Sequence, residues 1–113
     1  MVEIKNNVIR ATQGDTVRTQ FVFEIEEGVP YEPSEGDRIR LAVKASKDPQ
    51  DNNILVDVEI PITTMELVVP SSETKKLPYR RKPCFYDIEV TFAGGDVLTV
   101  ISEGEWYSMP EVM

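Results

Sequence analysis

The sequence predicts an all-β protein, and more closely an antiparallel two-sheet β-sandwich of the Ig-like or jelly-roll-like kind. In several runs apolar and polar residues alternate with a period of two, which is typical of strands with one buried face. Gly-Asp pairs, which favour turns, stand just before three of these runs. No long amphipathic helical pattern occurs. Short strands separated by turns, without such helices, favour a sandwich or a small barrel.

Seven or eight strands are expected from the alternation. They cover residues 8–11, 17–25, 39–45, 54–60, 65–69, 84–92, 97–102 and 105–109. The clearest signal is a hairpin in which the run ending at Phe92 and the run starting at Val97 flank a glycine turn. A second hairpin is predicted to join the third and fourth runs across the polar residues 47–53.

At most one short helical turn is expected, beginning at Ser71, because prolines at positions 70, 78 and 83 limit the segment. The alternating faces also predict which side chains form one core between two sheets. These residues are Phe21, Phe23, Leu41, Val43, Val56, Val58, Ile88, Val90 and Phe92.

Length and composition indicate one domain, residues 1–113. The formal net charge of −8 argues against a nucleic-acid partner, because binding to phosphates depends on lysine and arginine. We expect no membrane segment, since no window contains the ~20 apolar residues that span a bilayer. The single cysteine, Cys84, has no partner for an internal disulfide and is expected to be a buried thiol.

The chain contains no histidine, the commonest general base near neutral pH and the commonest metal ligand. Ser-His-Asp and Cys-His arrangements and histidine-ligated zinc or iron sites are therefore excluded, whereas catalysis by paired carboxylates or a lysine remains chemically open. No spacing singles out such a pair. We expect no enzyme activity, no catalytic residues, no cofactor and no metal site.

One cluster stands out as a candidate partner interface in this acidic chain. It comprises Lys75, Lys76, Arg80, Arg81 and Lys82. Such a basic segment can dock on an acidic protein surface, or it can be an ordinary solvated loop. Two further candidates have plain structural alternatives: residues 47–53 are rich in oxygen ligands but are expected to be a turn, and Trp106 with Tyr107 can form a sugar-stacking platform or belong to the core.

Several phrases in the sequence together resemble a known family. They are Gly14-Asp15-Thr16, the strand phrase from Glu35 to Lys44, the Ser72–Leu77 segment, and Tyr86-Asp87-Ile88-Glu89-Val90 ahead of Gly95-Asp96-Val97. In order and spacing the set resembles the small β-sandwich structural proteins of tailed phages and prophages, similar to the N-terminal domain of upper baseplate proteins. The chain departs from that pattern between Leu77 and Tyr86, where the family usually has a glycine-containing turn and this chain has Pro78, Arg80, Arg81, Lys82 and Pro83.

The resemblance implies a non-enzymatic virion protein of the tail, baseplate or head-tail region, made in the host bacterial cytoplasm and acting in particle assembly. Its implied partners are other virion proteins, further copies of itself, or both, so a homo-oligomer is among the expected states. The alternative interpretation is a stand-alone β-sandwich module that binds a carbohydrate or a protein.

Overall fold

The computed structural model describes residues 2–110, which form ten strands and one helical turn. The strands are β1 Val2–Lys5, β2 Val8–Thr12, β3 Val17–Gln20, β4 Glu24–Glu26, β5 Val29–Pro30, β6 Arg38–Lys44, β7 Ile54–Ile60, β8 Glu66–Val69, β9 Cys84–Thr91 and β10 Val97–Met109. The turn, α1 Ser71–Thr74, lies between β8 and β9. The all-β prediction is therefore confirmed.

Six strands form one large sheet in the order β1-β2-β10-β9-β6-β7. Its neighbours are antiparallel except for β2 and β10, which run parallel with Trp106 beside Ile9. Two smaller ribbons, β3-β8 and β4-β5, complete the secondary structure of the described residues. The large sheet is mixed because β10 continues beyond its hairpin with β9 and aligns with the opening segment of the chain.

The core lies on one face of the large sheet and follows directly from the alternation. In β6, Ile39, Leu41 and Val43 are fully buried, whereas Arg38 and Arg40 on the opposite face are exposed to solvent. The same buried cluster includes side chains of the β3-β8 ribbon, such as those of Val17, Leu67 and Val69. The ribbon therefore packs with the apolar face of the sheet.

The predicted architecture needs correction in its finer features. The sequence predicted seven or eight antiparallel strands in two sheets, whereas residues 2–110 contain ten strands in a mixed six-stranded sheet and two ribbons, with no clear second sheet. One predicted strand, residues 17–25, is split. After β3 ends, the Phe21 amide donates to the Met65 carbonyl at 2.8 Å, and the Phe23 carbonyl accepts from the Tyr31 amide at 2.9 Å.

The ends of the sheet also differ from prediction. No strand is among the predicted elements before residue 8, yet Asn6 and Asn7, both with positive φ, form a tight turn that pairs β1 with β2. The expected separate closing strand is the second half of β10, which is continuous from Val97 and passes two register shifts between Thr99 and Gly104.

Other expectations are confirmed. The β9-β10 and β6-β7 hairpins and the single helical turn at Ser71 are present. Of the nine residues predicted for the core, six are buried: Phe21, Leu41, Val43, Val56, Ile88 and Val90. Phe23, Val58 and Phe92 are partly buried and pack against that cluster.

A close contact between β9 and β10 positions the turn of the opening hairpin. The buried Tyr86 ring lies edge-on to the Trp106 ring, with centroids 6.5 Å apart, and its hydroxyl donates to the Asn7 carbonyl at 2.9 Å. The ring also covers Gly104 so closely that a Cβ there would stand 2.5 Å from it. Only glycine fits at this position, because the tyrosine is enclosed by the core.

We predict that Gly104→Ala lowers the free energy of unfolding by about 1–3 kcal/mol, because the added methyl group must displace the Tyr86 ring or the backbone. Gly94→Ala is the matched control, since a Cβ at Gly94 meets nothing within 4 Å. We expect it to change stability by less than about 0.5 kcal/mol. Urea denaturation followed by tryptophan fluorescence measures both, and equal effects of the two substitutions would contradict the close-contact argument.

Candidate functional site

The basic loop, residues 75–83, connects α1 to β9, and its N-terminal part is joined to the rest of the protein at Leu77 and at Thr74, the residue that precedes the loop. Next to it, the buried Thr74 hydroxyl donates to the Asp15 carbonyl at 2.8 Å. Within it, Leu77 is fully buried, and its carbonyl accepts from Gln13 Nε2 at 3.1 Å and from Ser108 Oγ at 3.3 Å. These contacts position the loop beside the second half of β10.

The five basic residues predicted as an interface differ in their surroundings. Lys75, Lys76, Arg81 and Lys82 are exposed. The Lys76 ammonium lies 2.7 Å from a carboxylate oxygen of Glu73 on the same turn. The structure thus brings four exposed cations to one loop, and their role in binding a partner stays a prediction.

Arg80 is different from its neighbours because its guanidinium points back into the protein. It donates to the carbonyl of Ala45, beyond β6, and to the carbonyl of Pro83 at 3.0 Å. It also lies 3.8 Å from the Cys84 sulfur. Arg80 is therefore a residue that positions the basic loop, and the charge pattern in the sequence gives no sign of this difference.

The candidates at Cys84 and Trp106 are settled by burial. Cys84 is 1% exposed, as predicted, and burial raises the pKa of its thiol although Arg80 lies nearby. Trp106 is also 1% exposed, so the sugar-stacking platform predicted as one possibility is wrong for this residue. Tyr107 is half-buried on the opposite face of the sheet, where the Arg10 guanidinium lies 4.5 Å from its ring centroid.

The polar face of the large sheet carries a charged recess of about 430 Å³. Arg40 binds both carboxylate oxygens of Asp57, at 2.6 and 2.5 Å, and Arg38 lies 2.8 Å from Glu59. The hydrogen bond from Arg40 lowers the pKa of Asp57. Each of these arginines is matched by a carboxylate within the sheet, and exposed pairs of this kind stabilise by about 0–1 kcal/mol. This recess has no excess positive charge to attract an anion.

Asp37 is the one carboxylate among residues 2–110 that is buried, with 7% exposure, and it joins the loop before β6 to the β9-β10 turn. Its Oδ2 accepts from the Tyr31 hydroxyl at 2.6 Å and from the Ser34 amide at 3.2 Å, and its Oδ1 accepts from the Ala93 amide at 3.0 Å. These donors, the Tyr31 hydroxyl foremost, lower the pKa of Asp37. Burial, followed by the bond to Asp37, raises the pKa of Tyr31 to about 12.

The glycine ahead of Asp37 is required by the same junction. Gly36 has a φ of +95°, and a Cβ there would stand 2.8 Å from the Ala93 methyl carbon. The predicted Gly-Asp turn before β6 therefore has a second role that the sequence does not reveal, which is to join the loop before β6 to the β9-β10 turn.

An apolar groove of about 220 Å³ lies between the β1-β2 hairpin and β3. Its lining includes Ile4, Phe21, Val22 and Ile101. Ile4 is 42% exposed and Val22 is 79% exposed. This surface is not among the predicted sites, although the alternation of Val2 and Ile4 with Glu3 and Lys5 in the sequence indicates a strand here.

The part of the chain that the structure describes contains no group of three or more cysteine, aspartate or glutamate side chains placed to hold a metal ion. No helix formed by residues 2–110 is long and apolar enough to cross a membrane. Comparison with protein-family models, with curated proteins and with solved structures found no match to this chain.

We predict that Asp37→Asn lowers stability at neutral pH and that its difference from wild type shrinks in acid. A carboxylate whose pKa is lowered by folding stabilises the protein above its ordinary value of 3.8, and this contribution is lost as the pH falls through the lower folded pKa. Tyr31→Phe, which removes one donor and keeps the ring, should give a smaller change of the same kind. Urea denaturation across the acid range tests this, and a constant difference between Asp37→Asn and wild type would count against it.

We predict that Arg80→Ala lowers the free energy of unfolding by about 1–3 kcal/mol, because carbonyl acceptors at Ala45 and Pro83 lose a charged donor. Arg81→Ala, which removes an exposed arginine one position later, is the matched control and should have an effect below about 0.5 kcal/mol. Thermal and urea denaturation measure both. Indistinguishable variants would show that Arg80 does not position the loop.

Proposed function

We propose that this chain is a non-enzymatic structural protein of a tailed phage or prophage particle and that it acts in assembly of the tail, baseplate or head-tail region. The observation that carries this proposal is the open edge of the large sheet at β1. Among residues 2–110, β1 has a strand partner on one side only, and it borders an apolar groove. Open edges and exposed apolar surface are features by which proteins bind other proteins.

The resemblance of the Gly-Asp turns and strand phrases to small β-sandwich proteins of virions supports the same proposal. On this proposal, the large sheet with its β3-β8 ribbon is an incomplete sandwich of that kind. We further propose that the partners are neighbouring virion proteins or further copies of this chain. On this proposal the protein is made in the host bacterial cytoplasm and ends in the particle.

The basic loop is the second surface that we assign to assembly. Its exposed cations, Lys75, Lys76, Arg81 and Lys82, contrast with the strongly acidic remainder of the chain. Such a surface suits an acidic patch on a neighbouring protein, with contacts that weaken as salt screens them over a Debye length of about 8 Å.

We predict that the chain co-purifies with particles induced from the bacterium that encodes it. A tagged copy expressed in that bacterium should sediment with intact virions. A variant in which Lys75, Lys76, Arg81 and Lys82 are replaced by glutamate, with Arg80 retained so that the loop keeps its position, should be incorporated less. Mass spectrometry of gradient-purified particles gives the measurement. Absence of the wild-type chain from particles, with the protein abundant in the lysate, would contradict the proposal.

A stand-alone binding module is the competing function, and its protein-binding form would use the same edge and groove. The two are separated by the particle experiment. A binding module would remain outside the virion and capture its partner in solution.

A further inference from the structure

The opening strand β1 forms one border of the large sheet. It pairs with β2 from Val2–Ala11 to Lys5–Val8, and no other strand of residues 2–110 lies on its outer side. All four of its residues are exposed. An edge of this kind presents backbone donors and acceptors to any strand that approaches it.

The geometry of the hairpin decides which backbone groups point outward. Asn6 and Asn7 have φ values of 51° and 64°, as in a two-residue type I′ turn, in which the residues flanking the turn exchange hydrogen bonds. Because hydrogen-bonded pairs alternate along an antiparallel ladder, Lys5 and Glu3 bond toward β2. The amide and carbonyl of Ile4 therefore point toward the open edge.

We propose that the occupant of this edge is a second copy of the same chain, bound antiparallel through β1 about a two-fold axis at Ile4. The two Ile4 residues exchange backbone hydrogen bonds, and two six-stranded sheets join into one continuous sheet. This inference rests on the proposed function in one respect, since it specifies a second copy as a partner in assembly. The pairing itself depends only on β1 and is measured on the purified chain.

Charge complementarity selects this register. With Ile4 opposite Ile4, Glu3 of each copy lies directly opposite Lys5 of the other, and the symmetry creates two such pairs. A register shift of two residues moves the two-fold axis from Ile4 to a neighbouring residue. It would place Glu3 opposite Glu3 in one direction and Lys5 opposite Lys5 in the other. Directly opposed like charges destabilise a sheet, whereas opposite charges stabilise it. No ion pair joins Glu3 or Lys5 to another of residues 2–110, so both charges are available.

The apolar side of the edge suits the same arrangement. Residues directly opposite in a ladder point to the same face, so both Ile4 side chains lie on the groove side. The two-fold axis then places the grooves of the two copies next to each other. Apolar surface at Ile4 that is exposed in the single chain becomes covered.

The opposite border of the sheet is unsuited to self-pairing. That border is β7, whose polar side carries Asp57 and Glu59. Full antiparallel overlap of β7 with its own copy would place Asp57 opposite Asp57. Acidic residues on an edge are a known means of preventing such contacts. A closed dimer through β1 is therefore favoured over an extending chain of sheets.

The dimer is expected to be weak, because an edge of four residues with a small groove lies at the lower end of specific interface sizes. We expect a Kd above about 1 μM for the purified chain. Several copies held together in a larger assembly would raise the effective concentration and make the contact useful.

The test is a charge swap measured by sedimentation velocity over a concentration series of the full chain. The wild type should dimerise at high concentration, and Glu3→Lys or Lys5→Glu alone should weaken the dimer about tenfold, because each creates two like-charge pairs. The double variant Glu3→Lys with Lys5→Glu should restore the dimer. Lys75→Glu, a reversal in the basic loop, is the control and should leave it unchanged.

A second variant examines the backbone hydrogen bonds. Ile4→Pro removes the outward amide and leaves the bonds to β2 intact, as proline on an open edge does, so we expect a folded monomer. Circular dichroism verifies folding. If Ile4→Pro does not fold, the charge-swap series decides alone.

Three results would overturn the proposal. One is a wild-type chain that stays monomeric up to its solubility limit, and another is a dimer that both single reversals leave intact. The third is a dimer that is lost only in Lys75→Glu, which would assign the contact to the basic loop. Each of these leaves the presence of the chain in particles as a separate measurement, so the proposed function stands or fails independently.

Discussion

The parallel pairing of β2 with the second half of β10 is the constraint on which the rest of the structure depends. It places β10 inside the sheet, so that both of its edges need backbone partners and its inward side chains must be covered. Trp106 and Ser108 are buried as a result. The strand also passes two register shifts between Thr99 and Gly104, and at the second of these only glycine can lie under the Tyr86 ring.

The same arrangement determines where the protein can make contacts. One face of the large sheet is covered by the ribbon and loops, and the other is a polar face on which Arg38 and Arg40 are already paired with carboxylates. A surface whose charges satisfy each other offers little free energy to a partner. The border of the sheet at β1 differs, because its outer backbone groups have no strand partner among residues 2–110 and it adjoins the apolar groove, which β3 and β8 also line.

Two charged side chains hold loops in position through hydrogen bonds to the loop backbone. Asp37 accepts from amides of two separate segments, and Arg80 donates to the carbonyls of Ala45, which follows β6, and of Pro83, which precedes β9. Charge-assisted bonds of this kind suit loops that lack a ladder of their own. They also explain why a basic cluster in the sequence does not behave as one surface, since one of its five members is turned inward.

The sequence by itself determined the all-β class, the two main hairpins, the helical turn at Ser71 and most of the core, because these depend on a period of two and on local turn chemistry. The Asn6-Asn7 hairpin was also local, and its signal was readable but missed. Tertiary structure alone decided the split of residues 17–25, the parallel β2-β10 pairing and the inward turn of Arg80. Each of these depends on a partner far along the chain, such as Met65 for Phe21 or Ala45 for Arg80, and alternation of side chains carries no information about which distant backbone a strand or a guanidinium meets.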